Sequence, residues 1–119
     1  MKDSVLVEKS KDFAKRIVFL TQAIKDSKKE HVLTNQILKS GTSIGANIHE
    51  AQYAQSSDDF VSKLEIALKE CFETEYWLEL LFETNYIDKK DYDQLISDCG
   101  AIRRMLISAC TTMKAKNDV

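Results

Sequence analysis

Proline is absent from this chain of 119 residues, and glycine occurs only three times. Both features favour long helices, because proline breaks a helix interior and glycine destabilises it. Hydrophobic residues still make up 44% of the chain. A single domain over residues 1–119 can therefore bury a core without metals or disulfides. This composition argues against a β-sandwich, a β-barrel or a disordered chain.

Long apolar runs and cysteine pairs are missing as well. No stretch reaches the ~18 apolar residues of a membrane helix, and the charged start MKDSVLVEKSKDF does not resemble a signal peptide. The cysteines are odd in number, lack CxxC spacing and fall on or beside apolar helix faces: Cys71, Cys99 and Cys110. We expect them to be buried and free. The expected location is the cytoplasm.

Residue sets that carry catalysis or bind metals are also missing. His31 and His49 are the only histidines, and neither follows an acid at the third position, as a di-iron bundle requires. The two histidines do not complete a zinc set or a nucleophile–base pair. The segment around Gly41 and Gly45 lacks the phosphate-loop pattern GxxxxGK[ST]. We therefore expect no enzymatic activity, no cofactor and no small-molecule substrate.

The periodicity of apolar residues predicts four helices, at about Asp3–Lys25, Val32–Tyr53, Asp58–Glu83 and from the cap at Asp88 to Lys114. Ser56 with Asp59, and Asp88 with Asp91, have the spacing of helix-capping pairs. The apolar seams repeat about every 3.5 residues, and the joints are short. The predicted fold is all-α, an antiparallel up-down-up-down four-helix bundle.

The second helix contains the most distinctive segment, LKSGTSIGANIHEA. Two glycines in a helix interior cost ~1 kcal/mol each relative to alanine, which indicates that another backbone comes close. One line of this helix is small and apolar: Ile37, Gly41, Ile44, Ile48 and Ala51. The neighbouring line is a polar stripe: Gln36, Ser40, Ser43, Asn47 and Glu50. This arrangement predicts a specific contact.

Glu75 lies near the apolar phase of helix three, between Cys71 and Leu78. A carboxylate at such a position needs a hydrogen-bonding or charged partner. Asn47, Ser43 or a basic residue of a neighbouring subunit are the candidates. We hypothesise that Glu75 and the polar stripe form a network that sets the helix register. The alternative is that Glu75 lies at the edge and reaches water.

Helix three carries more apolar side chains than one packing face needs. Beyond its core seam it has one flank of Val61, Phe72 and Tyr76 and another of Ile66, Trp77 and Leu81. Large aromatic residues outside the core phase usually mark an association surface. We predict that Phe72, Tyr76 and Trp77 form a homo-oligomer interface. The alternative is that they cover loop ends within the monomer.

Charge is distributed unevenly along the chain, whose net charge is −2. Residues 1–39 carry nine Lys or Arg against five Asp or Glu, whereas residues 40–119 carry eight against fourteen. A basic first helix and an acidic third helix of different copies can meet head-to-tail, and such contacts form rings when the rotation closes. The alternative is that these charges only solvate the surface.

The segments SGTSIGANIHEA, DDFVSKLEIALKECFETEYWLELL and NYID together resemble the family of 23S rRNA-intervening sequence proteins. The matching motif residues include Lys39, Ser40, Ser43, Asn47, Glu50 and Glu75. Three positions depart from the family pattern. Ala51 and Asn85 stand where glycine is frequent, and Lys39 stands where arginine is more frequent.

The resemblance implies an antiparallel bundle that assembles into a ring, typically a pentamer, without catalytic activity. A related group serves as the accessory protein of diversity-generating reverse transcriptases and resembles a basic, nucleic-acid-binding barrel, so the resemblance makes RNA or nucleoprotein a candidate partner. The candidate phosphate contacts are Lys11, Lys15, Arg16, Lys25, Lys28, Lys29, Arg103 and Arg104. The alternative function is a protein-only scaffold that uses the aromatic surface of helix three.

Overall fold

The computed structural model describes residues 4–117, and nearly all of them are helical. The helices are α1 (Ser4–Lys28), α2 (Val32–Ala51), α3 (Ser57–Glu83) and α4 (Lys89–Asn117). No strand occurs within residues 4–117, so the predicted all-α class is confirmed. None of the described helices combines the length and the hydropathy needed to cross a bilayer.

The predicted helix boundaries need small corrections. Helix α1 continues three residues past the predicted Lys25, α2 ends two residues before the predicted Tyr53, and α4 runs past the predicted Lys114. Polar residues near a helix end carry little periodic signal, so the apolar pattern placed these ends imprecisely. The predicted start at Asp3 and both ends of the predicted 1–119 domain lie outside the described residues.

Each helix packs against two others, in the cyclic order α1, α2, α3, α4 and back to α1. The bundle measures 52 × 21 × 21 Å, so its cross-section is close to square. Joints of three to five residues leave no room for a crossover, and consecutive helices therefore run antiparallel. The predicted up-down-up-down bundle is confirmed. Helices α1 and α4, which no joint connects, pack less closely than the other three neighbouring pairs.

The core forms where the four apolar seams meet. The predicted small, apolar line of α2 is buried along its whole length. Its two glycines allow α1 to approach. A Cβ on Gly41 would lie 3.0 Å from the side chain of Ile17, and a Cβ on Gly45 would lie 3.3 Å from the backbone oxygen of Ser10. The partner that comes close is thus α1 of the same chain.

Local hydrogen bonds explain where α2, α3 and α4 begin. The Ser56 hydroxyl accepts from the backbone N–H of Asp59 at 3.0 Å, and the Asp88 carboxylate accepts from the N–H of Asp91 at 2.8 Å. Both predicted caps are confirmed. The sequence pattern did not predict a third cap, at the start of α2. The Glu30 carboxylate accepts from three consecutive N–H groups at the start of α2, those of Val32, Leu33 and Thr34.

The joint after α3 explains one departure from the family pattern. Asn85 has a φ of 69°, in the left-handed region that glycine adopts most easily. The N–H of Tyr86 donates to the carbonyl of Leu81 at 2.8 Å, and the N–H of Asn85 donates to the carbonyl of Phe82 at 3.1 Å. These are the two bonds of a Schellman motif. Asparagine tolerates this conformation better than most residues, so it can replace glycine here.

Candidate interaction surface

Two aromatic side chains of α3 lie in solvent, one helical turn apart. Phe72 is 52% exposed and Tyr76 is 59% exposed. Their spacing of four residues places them on the same side of the helix. Neighbouring exposed aromatics of this size are typical of contact surfaces. Both residues thus lie outside the core as the sequence predicts, and their role as an interface stays a prediction.

Arg103 of α4 connects this aromatic pair to the next helix. Its guanidinium carbon lies 5.6 Å from the centroid of the Phe72 ring. Its Nε donates a hydrogen bond of 2.9 Å to Oε2 of Glu75 on α3. The Arg103 and Glu75 side chains are only 27% and 21% exposed, so the pair is half-buried. The hydrogen bond to Glu75 raises the pKa of Arg103, against the opposing effect of burial.

The hypothesis that Glu75 joins the polar stripe of α2 is wrong. Glu75 lies on the side of α3 that packs against α4, and its partner there is Arg103 of the same chain. Asn47 and Ser43 bond within their own helix, since the Asn47 amide donates to the Ser43 carbonyl and the Ser43 hydroxyl donates to the Lys39 carbonyl. The alternative was that Glu75 lies at the edge and reaches water. Its side chain is 21% exposed, but its carboxylate is paired with Arg103.

The polar stripe of α2 instead contacts α3 at other residues. The Ser40 and Thr74 side chains are both fully buried, and their hydroxyl oxygens are hydrogen-bonded at 2.9 Å. At the end of the stripe, Glu50 forms an ion pair of 3.1 Å with Lys63. The Ser40–Thr74 bond is therefore the buried polar contact of the α2–α3 interface.

Lys39, also part of the family motif, is exposed on α2. It influences the charge of Glu70 on α3. Burial and then the charge of Glu73 raise the pKa of Glu70, and Lys39 partly opposes this rise. Lys39 thus serves as a local counter-charge between α2 and α3.

The other predicted flank residues of α3 are mostly covered by the monomer itself. Trp77 is half-buried against the core, its indole N–H donates to Glu73 at 3.1 Å, and its ring meets Tyr76 edge-on at 5.0 Å. Val61 and Leu81, expected on exposed flanks, are buried. That expectation was wrong, because α2 and α4 cover a wider part of α3 than one narrow stripe.

The predicted phosphate contacts do not form one patch. Arg16 pairs with Asp98 at 2.6 Å, Lys25 donates to the Asn35 side chain at 2.6 Å, and Arg103 pairs with Glu75. The remaining five are exposed and have no ion pair within residues 4–117: Lys11, Lys15, Lys28, Lys29 and Arg104. Lys28 and Lys29 lie at the end of α1, whereas Lys11 and Lys15 lie near its middle and Arg104 lies on α4.

The cysteines are free and buried, as the sequence predicts. The Cys99 thiol donates to the carbonyl of Cys71 at 3.6 Å. A side-chain hydrogen bond with Cys71 and then burial raise the pKa of Cys99, and burial raises that of Cys110. His31 and His49 are exposed near opposite ends of α2. The described part of the chain holds no group of three His, Cys, Asp or Glu residues that could bind a metal ion.

The sequence pattern gave no role to the buried hydroxyl of Thr74, which belongs to the family motif, and it did not single out Phe19. Thr74 has a weak signal, since it lies three residues after Cys71 and four before Leu78, in the seam phase. Phe19 on α1 is 68% exposed. Its signal is the one that identified Phe72, a large aromatic residue outside the core phase of its helix.

Comparisons with known proteins agree with this geometry. The sequence model of the 23S rRNA-intervening sequence protein family matches residues 2–108. The chain is also similar to a protein with unknown function from the S23 ribosomal protein family of Bacteroides thetaiotaomicron VPI-5482, whose crystal structure matches with a TM-score of 0.87. The two are 52% identical, and the match covers 88% of this chain and 97% of that chain. Comparison with curated proteins gives no match.

Proposed function

Since the chain belongs to the family of 23S rRNA-intervening sequence proteins, we propose that it is a non-catalytic homo-oligomer assembled through one surface of α3 and α4. This α3/α4 surface consists of Phe72, Tyr76, Glu75 and Arg103. The family resemblance implies a ring, typically of five subunits, and that is the assembly we expect. Self-association is the first part of the proposal, because every copy of the chain carries the same α3/α4 surface.

The observation that carries the proposal is the ordered contact of an arginine with an exposed aromatic pair. Arg103 is held by Glu75 at 2.9 Å and lies against Phe72, whereas Phe72 and Tyr76 are more than half exposed. Aromatic residues and arginine supply most of the energy of protein interfaces. An arginine already held in place loses less conformational freedom when a partner binds. The α3/α4 surface therefore combines residue types that are typical of interfaces with an arginine side chain that is already held in one conformation.

The chemistry of the described residues supports a role without catalysis. The pKa values of Cys99 and Cys110 are raised, which disfavours the thiolate that a nucleophilic cysteine needs. His31 and His49 are separated by eighteen positions along α2, about 27 Å at 1.5 Å per residue. We propose a cytoplasmic location, and the three free thiols, which are typical of a reducing compartment, support this part of the proposal.

Light scattering after size exclusion tests self-association. We expect the wild-type protein to elute as an oligomer, and Tyr76→Asp to shift it towards the 13.6 kDa monomer. Tyr53→Asp is the matched control, because Tyr53 is 73% exposed but lies beyond the end of α2. Circular dichroism checks that each variant remains helical. A monomeric wild type, or an oligomer that Tyr76→Asp leaves unchanged, would contradict the proposal.

Binding of RNA or a nucleoprotein is the second candidate function. Lys11 and Lys15 are one turn apart on α1, exposed, and without an ion pair among the described residues. Like charges at this spacing destabilise a helix slightly, which favours a role in binding an anion. In an oligomer, the pair repeats on each subunit, so weak phosphate contacts add up.

Salt dependence separates this candidate from a protein-only scaffold. If phosphates are bound, affinity for a structured RNA falls steeply between 50 and 200 mM salt, by roughly 10-fold or more for a few contacts. The double variant Lys11→Gln/Lys15→Gln should weaken binding and flatten this salt dependence. Lys69→Gln, on the acidic α3, is the control. Absence of binding at low salt supports the scaffold instead.

A further inference from the structure

A groove lies between α1 and α2, near the end of the bundle where α2 finishes. Its volume is about 230 Å³, and its lining includes Lys11 and His49. The other lining residues are uncharged and mostly small: Val7, Ser10, Ala14, Thr42, Gly45 and Ala46. Among the residues that the structure describes, no carboxylate lines this space. We call it the α1/α2 groove.

The charge of this groove distinguishes it from the cavities between α1 and α4. In those cavities carboxylates accompany the cations. Asp12 and Asp98 line one of about 110 Å³, and Asp88 and Asp91 line another of about 490 Å³. An anion there would meet negative charge at short range, whereas the α1/α2 groove presents Lys11 without a competing acid in its lining. The α1/α2 groove therefore suits an anionic partner better.

Two more lysines of α1 extend the positive charge along this face. Lys15 is exposed one turn after Lys11. Lys25 lies on the same line of α1 as Lys11, because residues 7, 11, 14, 18 and 25 are separated by steps of three, four or seven. The Lys25 ammonium donates to the Asn35 amide oxygen on α2 at 2.6 Å, so its charge is not neutralised by this contact. The cations thus follow the seam between α1 and α2 over about 21 Å, at 1.5 Å per residue.

The acids of the two helices lie beside this face or are engaged elsewhere. By helical phase, the acids of α1 fall on its outer side or towards α4: Glu8, Asp12 and Asp26. Glu8, three residues before Lys11, borders the face. On α2, Glu50 pairs with Lys63 of α3 at 3.1 Å. Glu30 caps the opposite end of α2. The middle of the face therefore stays positive.

An exposed aromatic pair adjoins the groove at the end of α2. Tyr53 is 73% exposed, and its ring centroid lies 5.4 Å from that of His49, with the ring planes tilted by 56°. The N–H of Tyr53 donates to the carbonyl of Glu50 at 3.0 Å, which holds the backbone in place. The acids that follow, Asp58 and Asp59, belong to the first turn of α3, where the helix dipole favours them. An exposed aromatic ring beside lysines provides a stacking surface for a nucleobase.

We propose that the α1/α2 groove binds an unpaired RNA strand, with a base stacked on Tyr53 and neighbouring phosphates at Lys11 and Lys15. This inference rests on the RNA-binding candidate above. It adds where the RNA lies and that its bases are unpaired. In a double helix each base is covered by its neighbours, so its face is not available to a protein ring. A loop or a single strand therefore fits this face better than a duplex.

Fluorescence anisotropy with two RNA probes tests the stacking. One is a labelled strand of about 12 nucleotides of A and C, which do not pair with each other, and the second is the same strand in a duplex. We expect tighter binding of the single strand. Tyr53→Leu should weaken this binding about 10-fold, because it removes one stacked base. Phe19→Leu is the matched control, since Phe19 is 68% exposed but lines a cavity between α1 and α4.

Salt titrations with the same single strand test the phosphate contacts. Each contact contributes ~0.7 to the slope of log affinity against log salt, so Lys11→Gln/Lys15→Gln should lower the slope by ~1.4. Lys28→Gln/Lys29→Gln removes the same charge at the end of α1 and is the control. Light scattering checks that every variant keeps the oligomeric state of the wild type, because a change would alter the summed affinity.

A carboxylate placed in the groove tests the location independently. Ala46 is exposed and lines the groove, so Ala46→Glu should keep the helix and weaken binding of the single strand at least ~10-fold by repulsion. Gln36→Glu adds the same charge at an exposed position on another side of α2 and should have a smaller effect. Equal losses in the two variants would contradict a site in the groove.

Other outcomes separate this inference from the proposed function. If RNA binds but the duplex binds as tightly as the single strand, and Tyr53→Leu binds like the wild type, RNA binding is retained and the stacking is wrong. If Lys28→Gln/Lys29→Gln weakens binding and Lys11→Gln/Lys15→Gln does not, the RNA lies elsewhere. If the wild type binds neither probe at low salt, this inference and the RNA-binding candidate fail together, whereas self-association keeps its own test.

Discussion

The hydroxyl oxygens of Ser40 and Thr74 lie 2.9 Å apart in the α2–α3 interface, where both side chains are fully buried. Each hydroxyl also lies near a carbonyl of its own helix, 3.4 Å from Ile37 O for Ser40 and 2.7 Å from Glu70 O for Thr74. This pair is the only point in the described α2–α3 interface where two buried side-chain hydroxyls are hydrogen-bonded to each other. A shifted alignment of the two helices would break this contact.

Removing one hydroxyl of this pair should destabilise the protein. We expect Thr74→Val, of similar shape, and Ser40→Ala each to lower the free energy of unfolding by about 1–2 kcal/mol. The double variant should lose less than the sum, with a coupling of about 1 kcal/mol. Urea unfolding at a fixed protein concentration measures this, since association shifts apparent stability. Ser43→Ala is the control, because its hydroxyl bonds only its own helix. Strict additivity would contradict the direct contact.

The Glu75–Arg103 pair should be energetically coupled, in contrast to Glu75 and Asn47. Arg103→Met leaves the half-buried carboxylate of Glu75 without its cation, and we expect a loss of about 1–2 kcal/mol. In a double-mutant cycle with Glu75→Gln, the coupling should exceed ~0.5 kcal/mol. The same cycle between Glu75→Gln and Asn47→Ala should show no coupling. If Glu75 instead couples to Asn47 and not to Arg103, the network hypothesised from the sequence would be correct.

The glycines of α2 and α4 should respond to alanine in opposite directions. At Gly41, the new Cβ would lie 3.0 Å from two carbons of the fully buried Ile17, which has little room to move. Overpacking of about 1–3 kcal/mol should exceed the ~1 kcal/mol gained in helix propensity. At Gly100, the nearest atom is the end of the exposed Arg104 side chain at 3.3 Å, which can move away, and the Arg103 guanidinium at 3.5 Å is at an ordinary contact distance. Gly41→Ala should therefore lower Tm and Gly100→Ala should raise it.

Stability should depend on pH through Glu30. Burial raises the pKa of this carboxylate, but hydrogen bonds from the N–H groups of Thr34, Leu33 and Val32 outweigh burial and hold the pKa below its ordinary value of 4.5. The stabilisation is thus present above pH 4.5 and is lost as pH falls through the lower pKa of the folded state. We expect Glu30→Gln to cost about 0.5–1 kcal/mol at neutral pH.

Urea unfolding at two pH values checks this prediction. The difference between the wild type and Glu30→Gln should be largest at pH 7 and should shrink towards pH 3. Glu83→Gln, at the exposed C-terminal end of α3, is the control for a general loss of negative charge. A difference that is the same at both pH values would show that the cap does not depend on the charge of Glu30.

The sequence predicted most of the fold because helix formation and burial follow local patterns. Apolar spacing located four helices and their buried seams, and the serine and aspartate caps marked where α3 and α4 begin. The paired glycines of α2 indicated a close neighbour. Each of these signals depends on residues that are near one another in the chain.

The candidate site depended on contacts that no local pattern contains. Whether Glu75 bonds to α2 or α4 is decided by the side of α3 on which it lies once both neighbours are packed. The same packing covers Val61 and Leu81 and leaves Phe19 exposed. Residues such as Arg103 and Glu75 are 28 positions apart, so only the assembled bundle brings their charges together. Helical periodicity thus determined the bundle, and tertiary packing decided which side chains remained available to a partner.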